Sequence, residues 1–235
     1  MSAAVNKYAG KVAVFGLCVA LMLVLGLLDR AVPLSALLSG GVPGLKLGLA
    51  NTVLLYAVFL MDWKAAVLLM LAKVTLSGFL FGSLSAILYS LSGGVLSLAV
   101  MLLARKNPKV SAAAVCFLSF ASVGWLLYRN PAPRGQMLVC DILITAAGLA
   151  ATGFFLLLRR RPDFGVVGVS LAGAVAHNVG QVLMASRVLN TPALLTVYLP
   201  VLVGLGAAVG CLTGLTARRV FHVLKPDKKG GHASA

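Results

Sequence analysis

Residues 84–104, LSAILYSLSGGVLSLAVMLLA, run without a charged side chain, and the rest of the chain repeats that pattern between short basic runs. About 20 apolar residues in a helix match the hydrocarbon thickness of a bilayer. There the backbone has no water to bond, so each segment must satisfy its own N–H and C=O groups, as a helix does. With 60% apolar and 11% charged residues and a mean hydropathy of +1.03, the remainder agrees; a soluble domain carries about 25% charged residues. The expectation is an all-α, polytopic membrane helix bundle.

Eight spans are predicted, at 12–28, 47–61, 65–82, 84–104, 110–128, 137–158, 165–189 and 195–217. The first has a basic flank but continues into LLDRAVP without a persuasive cleavage site, and is read as a retained helix. The formal charge of +15 sits mostly in the runs between spans, a positive-inside pattern that points to anionic membrane lipids rather than to nucleic acid. Most basic residues fall on the side of the N-terminus, leaving Arg30, Arg129, Arg134 and Arg187 for the other. An even number of spans then places both termini in the cytoplasm of a multi-pass cell membrane protein. Residues 225–235, KPDKKGGHASA from Lys225, read as a disordered basic tail.

Polar groups inside such spans are costly and need a partner or a purpose. SLAGAVAHNVGQVLMASRVL, residues 170–189, carries His177, Asn178, Gln181 and Arg187. His177 and Gln181 share one helix face, and Asn178 is turned about 100° from it. Lys73 lies midway along the third span with Ser77 one turn on, and Lys46 opens the second. Lys46 reads either as a lysine that snorkels to the interface or as a ligand contact; Lys73 needs an internal cavity or a counter-charge. If Lys46, Lys73 and Arg187 share one chamber, it is net positive and suits an anionic or carbonyl-rich small molecule. The chain has five aspartates and no glutamate; Asp29 is read as pairing with Arg30 or capping the first helix.

Small residues recur every four positions at Gly168, Ala172, Ala176 and Gly180, and again at Gly16 and Ala20. Such ridges let another helix approach closely, either within the bundle or from a docking partner. Cys18, Cys116, Cys140 and Cys211 fall in separate spans without metal-ligand spacing, so no metal site is expected. The chain contains no GxxxxGK[ST] loop, HExxH, CxxC or paired aspartates. Nucleotide hydrolysis at a P-loop, zinc-protease chemistry and magnesium-diphosphate chemistry of the prenyl-synthase kind are therefore not expected of it. It is read as a non-catalytic protein that needs no cofactor.

Three segments, GVPGLKLGLANTVLLYAVFLM (41–61), KVTLSGFLFGSLSAILYSLSGGVLSLAVM (73–101) and GVVGVSLAGAVAHNVGQVLMA (165–185), resemble the Gx transporter family, often labelled heptaprenyl diphosphate synthase component I. That family is similar to the S components of energy-coupling factor (ECF) transporters, six-helix proteins that capture vitamins. The resemblance implies a six-helix core in residues 1–106 (helices 1–4) and 163–224 (the last two helices), with residues 107–162 as an inserted helical pair. It implies capture of substrate near the outer face, beneath the loop AVPLSALLSGGVPG (31–44), with Gly40 and Gly41 in a mobile lid. Lys46 and Asn51, which flank the core of PGLKLGLAN, then join Lys73, Ser77, His177, Asn178, Gln181 and Arg187 as candidate ligand contacts. A transmembrane energizing subunit with ATPases is the implied partner, meeting the Gly16 and Ala20 ridge.

Two functions follow. One is a substrate-binding membrane subunit for uptake of a small organic nutrient or cofactor precursor. The alternative is a membrane accessory of polyprenyl diphosphate or quinone biosynthesis, acting with a separate catalytic subunit. A polar chamber facing outward favours the first; an apolar groove open to the cytoplasmic leaflet favours the second.

Overall fold

The computed structural model describes residues 2–31, 48–81, 84–107 and 165–224, with single positions at 146, 150 and 153. Among them are six helices: α1 (Ser2–Ala31), α2 (Asn51–Leu60), α3 (Trp63–Phe81), α4 (Leu84–Lys106), α5 (Gly165–Val188) and α6 (Ala193–Leu224). Five are long and apolar enough to cross a membrane, while α2 is a short apolar helix. Six of the eight predicted spans thus have a helical counterpart. The spans at 110–128 and 137–158, the basic tail, Lys46, Cys116 and Cys140 lie outside the described residues.

Large apolar side chains point outward, as expected where the surrounding solvent is lipid: Phe79 is 85% exposed and Val12 and Leu17 are each 70% exposed. Lipid is as apolar as leucine, so burying more leucine does little to join helices; close packing and interhelical hydrogen bonds must do it. The core helix is α5, with 83% of its apolar window buried, against 17% for α1. It packs against α4 on one side and α6 on the other.

Both contacts are built on small residues. At the α4–α5 crossing a Cβ on Gly180 would stand 2.8 Å from Gly93 Cα, so only glycine admits that approach. Ser92 Oγ donates to Gly180 O at 2.9 Å, and Ser97 Oγ to Gly173 O at 2.8 Å. At the α5–α6 contact, Gly206, Gly210 and Gly214 form a ridge on α6 against Val175, Leu171 and Val167. Ser170 and Thr213 join the same pair through their hydroxyls at 2.9 Å. Gly168, Ala172, Ala176 and Gly180 are all buried inside the bundle. Gly16 and Ala20 are exposed on α1, and nothing lies within 4 Å of a Cβ placed on Gly16.

The turn from α5 to α6 ends the helix by a Schellman pattern: Thr191 N donates to Ser186 O at 3.0 Å, and Asn190 takes the left-handed conformation at φ 47°. The other end of the bundle is marked by Trp63 and Lys64, whose ammonium sits 5.9 Å from the indole centroid. Such pairs suit the headgroup level.

Because α2 has ten residues, it rises only about 15 Å, half the thickness of the hydrocarbon core. Each end is held by a side chain from another helix. Asp29, near the end of α1, accepts from Leu49 N at 3.1 Å just before α2 begins. At the far end, Arg105 Nη1 donates to Val58 O at 2.6 Å. A carboxylate at the N-terminus and a guanidinium at the C-terminus both complement the helix dipole. The C-terminal half of α2 also packs on α6, with Tyr56 edge-on to Phe221 at 5.1 Å between ring centroids.

Candidate functional site

Helix arithmetic brings the buried polar groups to one depth. The N-terminus of α2 stops about halfway across the bundle, Lys73 lies midway along α3, and His177 lies midway along α5. All are sealed from solvent: Asn51 is 4% exposed, Lys73 6%, and His177, Asn178 and Gln181 at most 1%. Interrupted helices whose ends meet polar side chains near the midplane are a recurring design for binding sites in membrane proteins.

Gly48 is the hinge of this cluster. Its φ of +86° suits glycine, and a Cβ there would meet His177 Cδ2 at 3.0 Å and Asn51 Nδ2 at 3.2 Å. The turn before α2 thus lies directly on the imidazole, with the Asn51 amide beside it. Opposite, a Cβ on Gly93 would come within 2.8 Å of His177 Nδ1. The ring is wedged between two glycines, one before α2 and one on α4.

One turn along α5, the Gln181 amide nitrogen donates to His177 Nε2 at 2.6 Å. That bond needs an unprotonated Nε2 and sets the ring as an acceptor on that edge. Asn178 faces the other way and donates from Nδ2 to Leu202 O on α6 at 2.7 Å. Two amides remain open among the described residues: Asn51 has no hydrogen-bond partner for Oδ1 or Nδ2, and Asn178 has none for Oδ1.

The third wall is α3. Met70, one turn before Lys73, fills the notch at Gly94, next to the Gly93 that touches His177. Ser77 and Ser90 are buried in α3 and α4, at 9% and 4% exposed. Lys73 is buried on the same helix, about one turn beyond Met70.

Not every expected residue joins them. Arg187 is exposed in the last turn of α5, where a basic residue favours the helix C-terminus, and stands apart from the buried cluster. Lys46 lies outside the described residues, as does the proposed lid. Asp29 accepts from Leu49 N at the entrance to α2 and is only 2% exposed; the Arg30 side chain, its expected partner, is outside what the structure describes. Among the described residues the buried lysine and aspartate total one positive and one negative charge; the expected net-positive chamber also includes Lys46, which lies outside them. Gly48 and Gly93 went unremarked as site elements; the signal for Gly93 was its place in the SGG step of LYSLSGGVLS.

A second feature lies toward the Trp63 end. A groove of about 670 Å³ opens between the first turns of α1 and the α2–α3 connection, lined mainly by apolar groups such as Phe15, Leu60, Met61 and Leu68. Lys11 and Asp62 are its charged lining residues.

Among families of known proteins, the model described as heptaprenyl diphosphate synthase component I matches residues 18–126 and 131–220. Neither the curated proteins nor the solved structures yield a match. The match covers most of the chain, which therefore belongs to the heptaprenyl diphosphate synthase component I family.

Proposed function

We propose that the protein is a non-catalytic membrane subunit that binds a small organic nutrient or cofactor precursor within its bundle, in the manner of an ECF S component. The observation that supports this reading is the set of buried polar residues Asn51, Lys73, Ser77, His177, Asn178 and Gln181, of which Asn51 and His177 lie against Gly48 at the start of a half-length helix. A polar cluster of this size inside lipid is difficult to account for by packing alone. The sequence contains no nucleotide-binding loop, so accumulation against a gradient calls for energizing ATPases or an ion gradient. The exposed Gly16 and Ala20 face of α1 is the proposed surface for a transmembrane energizing subunit. On this reading both termini face the cytoplasm, residues 107–162 are the proposed addition to a six-helix core, and residues 31–44 are the proposed lid.

A second reading is favoured by the groove beside α1. Its apolar lining and its position beside Lys11, Asp62 and the Trp63–Lys64 pair suit the chain of an amphiphile in the cytoplasmic leaflet. With the family's name, this supports a membrane accessory of polyprenyl diphosphate or quinone synthesis acting with a separate catalytic subunit.

Mass spectrometry of small molecules extracted from the detergent-purified protein separates the two. A water-soluble molecule that is retained by wild type and lost from Lys73→Met supports the binding subunit. A prenyl diphosphate retained equally by both proteins overturns it in favour of the accessory role.

A further inference from the structure

The binding reading leaves open which chemistry the cluster selects, and three observations narrow it. The first is the state of the amides. Asn51 is 4% exposed, and neither Oδ1 nor Nδ2 has a hydrogen-bond partner among the described residues. Leaving a buried polar group unsatisfied is costly, so a carboxamide with both functions open is poised for a partner. That partner must offer an acceptor and a donor side by side, because a carboxamide presents an N–H and a C=O on one edge.

The second observation is that neighbouring donors are already engaged. Gln181 gives its N–H to His177, and Asn178 gives its N–H to Leu202 O. Asn178 Oδ1 is open as well, on the face turned toward α6.

The third is charge. Asp29 and Lys73 are the buried carboxylate and ammonium among the described residues, and they offset each other in sign. The Asp29 carboxylate also occupies the N-terminus of α2, where a ligand anion would otherwise bind, through its bond from Leu49 N. Among the described residues the buried charges already cancel in sign, so an entering anion would leave that set unbalanced, and a buried unbalanced charge is strongly unfavourable.

Resting on the binding reading above, we infer that Asn51 recognises the adjacent N–H and C=O (or ring N) edge of a neutral amide, lactam or amidine heterocycle. The pairing is the one by which asparagine reads an adenine edge in nucleic acids, moved into a membrane bundle.

The test compares thermal unfolding of detergent-purified wild type and Asn51→Leu with two sets of probes. Nicotinamide, uracil and hypoxanthine carry the edge; benzoate and farnesyl diphosphate lack it. Leucine removes two unsatisfied groups at similar volume, so the variant is expected to fold at least as well as wild type. Asn51→Asp, which keeps the shape and loses the donor, serves as the second variant. The expected result is that at least one of the first three probes stabilises wild type, with affinity about tenfold or more weaker in both variants. Equal stabilisation of wild type and the variants overturns the role of Asn51 while the binding reading stands. Response to benzoate alone overturns the neutral-edge chemistry, again leaving the binding reading intact. Response to farnesyl diphosphate alone, or to no probe, overturns both.

Discussion

Gly93 and Gly180 meet backbone to backbone: a methyl group on Gly180 would lie 2.8 Å from Gly93 Cα and 2.8 Å from Ser92 O. This contact sets the distance between α4 and α5 and holds the His177 ring against α4. Gly180→Ala is expected to destabilise the bundle by about 1–3 kcal/mol, since backbone on the far side has little freedom to move aside. Reversible unfolding in mixed micelles measures it. Ser97→Ala, which removes one interhelical hydrogen bond without a clash, should cost only about 0.6 kcal/mol by the same assay. A smaller effect for Gly180→Ala than for Ser97→Ala would show that the crossing relaxes freely.

Lys73 and Asp29 should behave as coupled charges. Lys73→Met removes the buried ammonium and Asp29→Asn the buried carboxylate among the described residues, so each shifts the balance of buried charge. Each single change is expected to destabilise, and the double variant should be more stable than the sum of the two losses predicts. A double-mutant cycle reads this directly, and a coupling below about 0.5 kcal/mol would show the two charges to be independent.

Arg105→Lys preserves the positive charge that orients the chain but not the guanidinium geometry that reaches Val58 O at 2.6 Å. Topology, scored by cysteine accessibility from each side of the membrane, should be unchanged. Backbone amides in α2 should exchange hydrogen faster, because the last carbonyls of that short helix lose their strongest partner. Unaltered exchange in α2 would show that Arg105 serves orientation alone.

Asn190 sits at φ 47°, a conformation that glycine adopts without penalty and alanine does not. Asn190→Gly should therefore be near neutral, and Asn190→Ala should lose about 1–2 kcal/mol. Equal stability of the two would mean that the α5–α6 turn adopts another conformation in the bilayer.

What the sequence disclosed, and what it hid, divides by distance along the chain. The helices were legible because lipid imposes a length and an apolar character on each one independently. The His177–Gln181 bond was legible as well, since four residues is one helical turn. The Gly206, Gly210 and Gly214 ridge carries the same four-residue signal as Gly168 to Gly180, and was passed over. The role of Asp29 could not be read locally, because its partner lies 20 residues away, across a connection. Arg105 reads in sequence as one more inside positive charge, and only the fold shows its bond to a carbonyl 47 residues earlier. Arg187 was placed with the buried polar residues because it shares their helix, but that helix ends one residue later and leaves it exposed.

The Asp29–Leu49 bond has a consequence for how this chain can vary. It brings the end of α1 and the approach to α2 within one hydrogen bond of each other, which fixes two anchor points 20 residues apart. Closing a longer segment between fixed ends costs little, about 0.6 kcal/mol for each doubling in length. Lengthening the stretch between residues 30 and 48 should therefore cost little in closure entropy. Selection can retune that stretch as an exchangeable part while Asp29 and Leu49 keep the frame fixed.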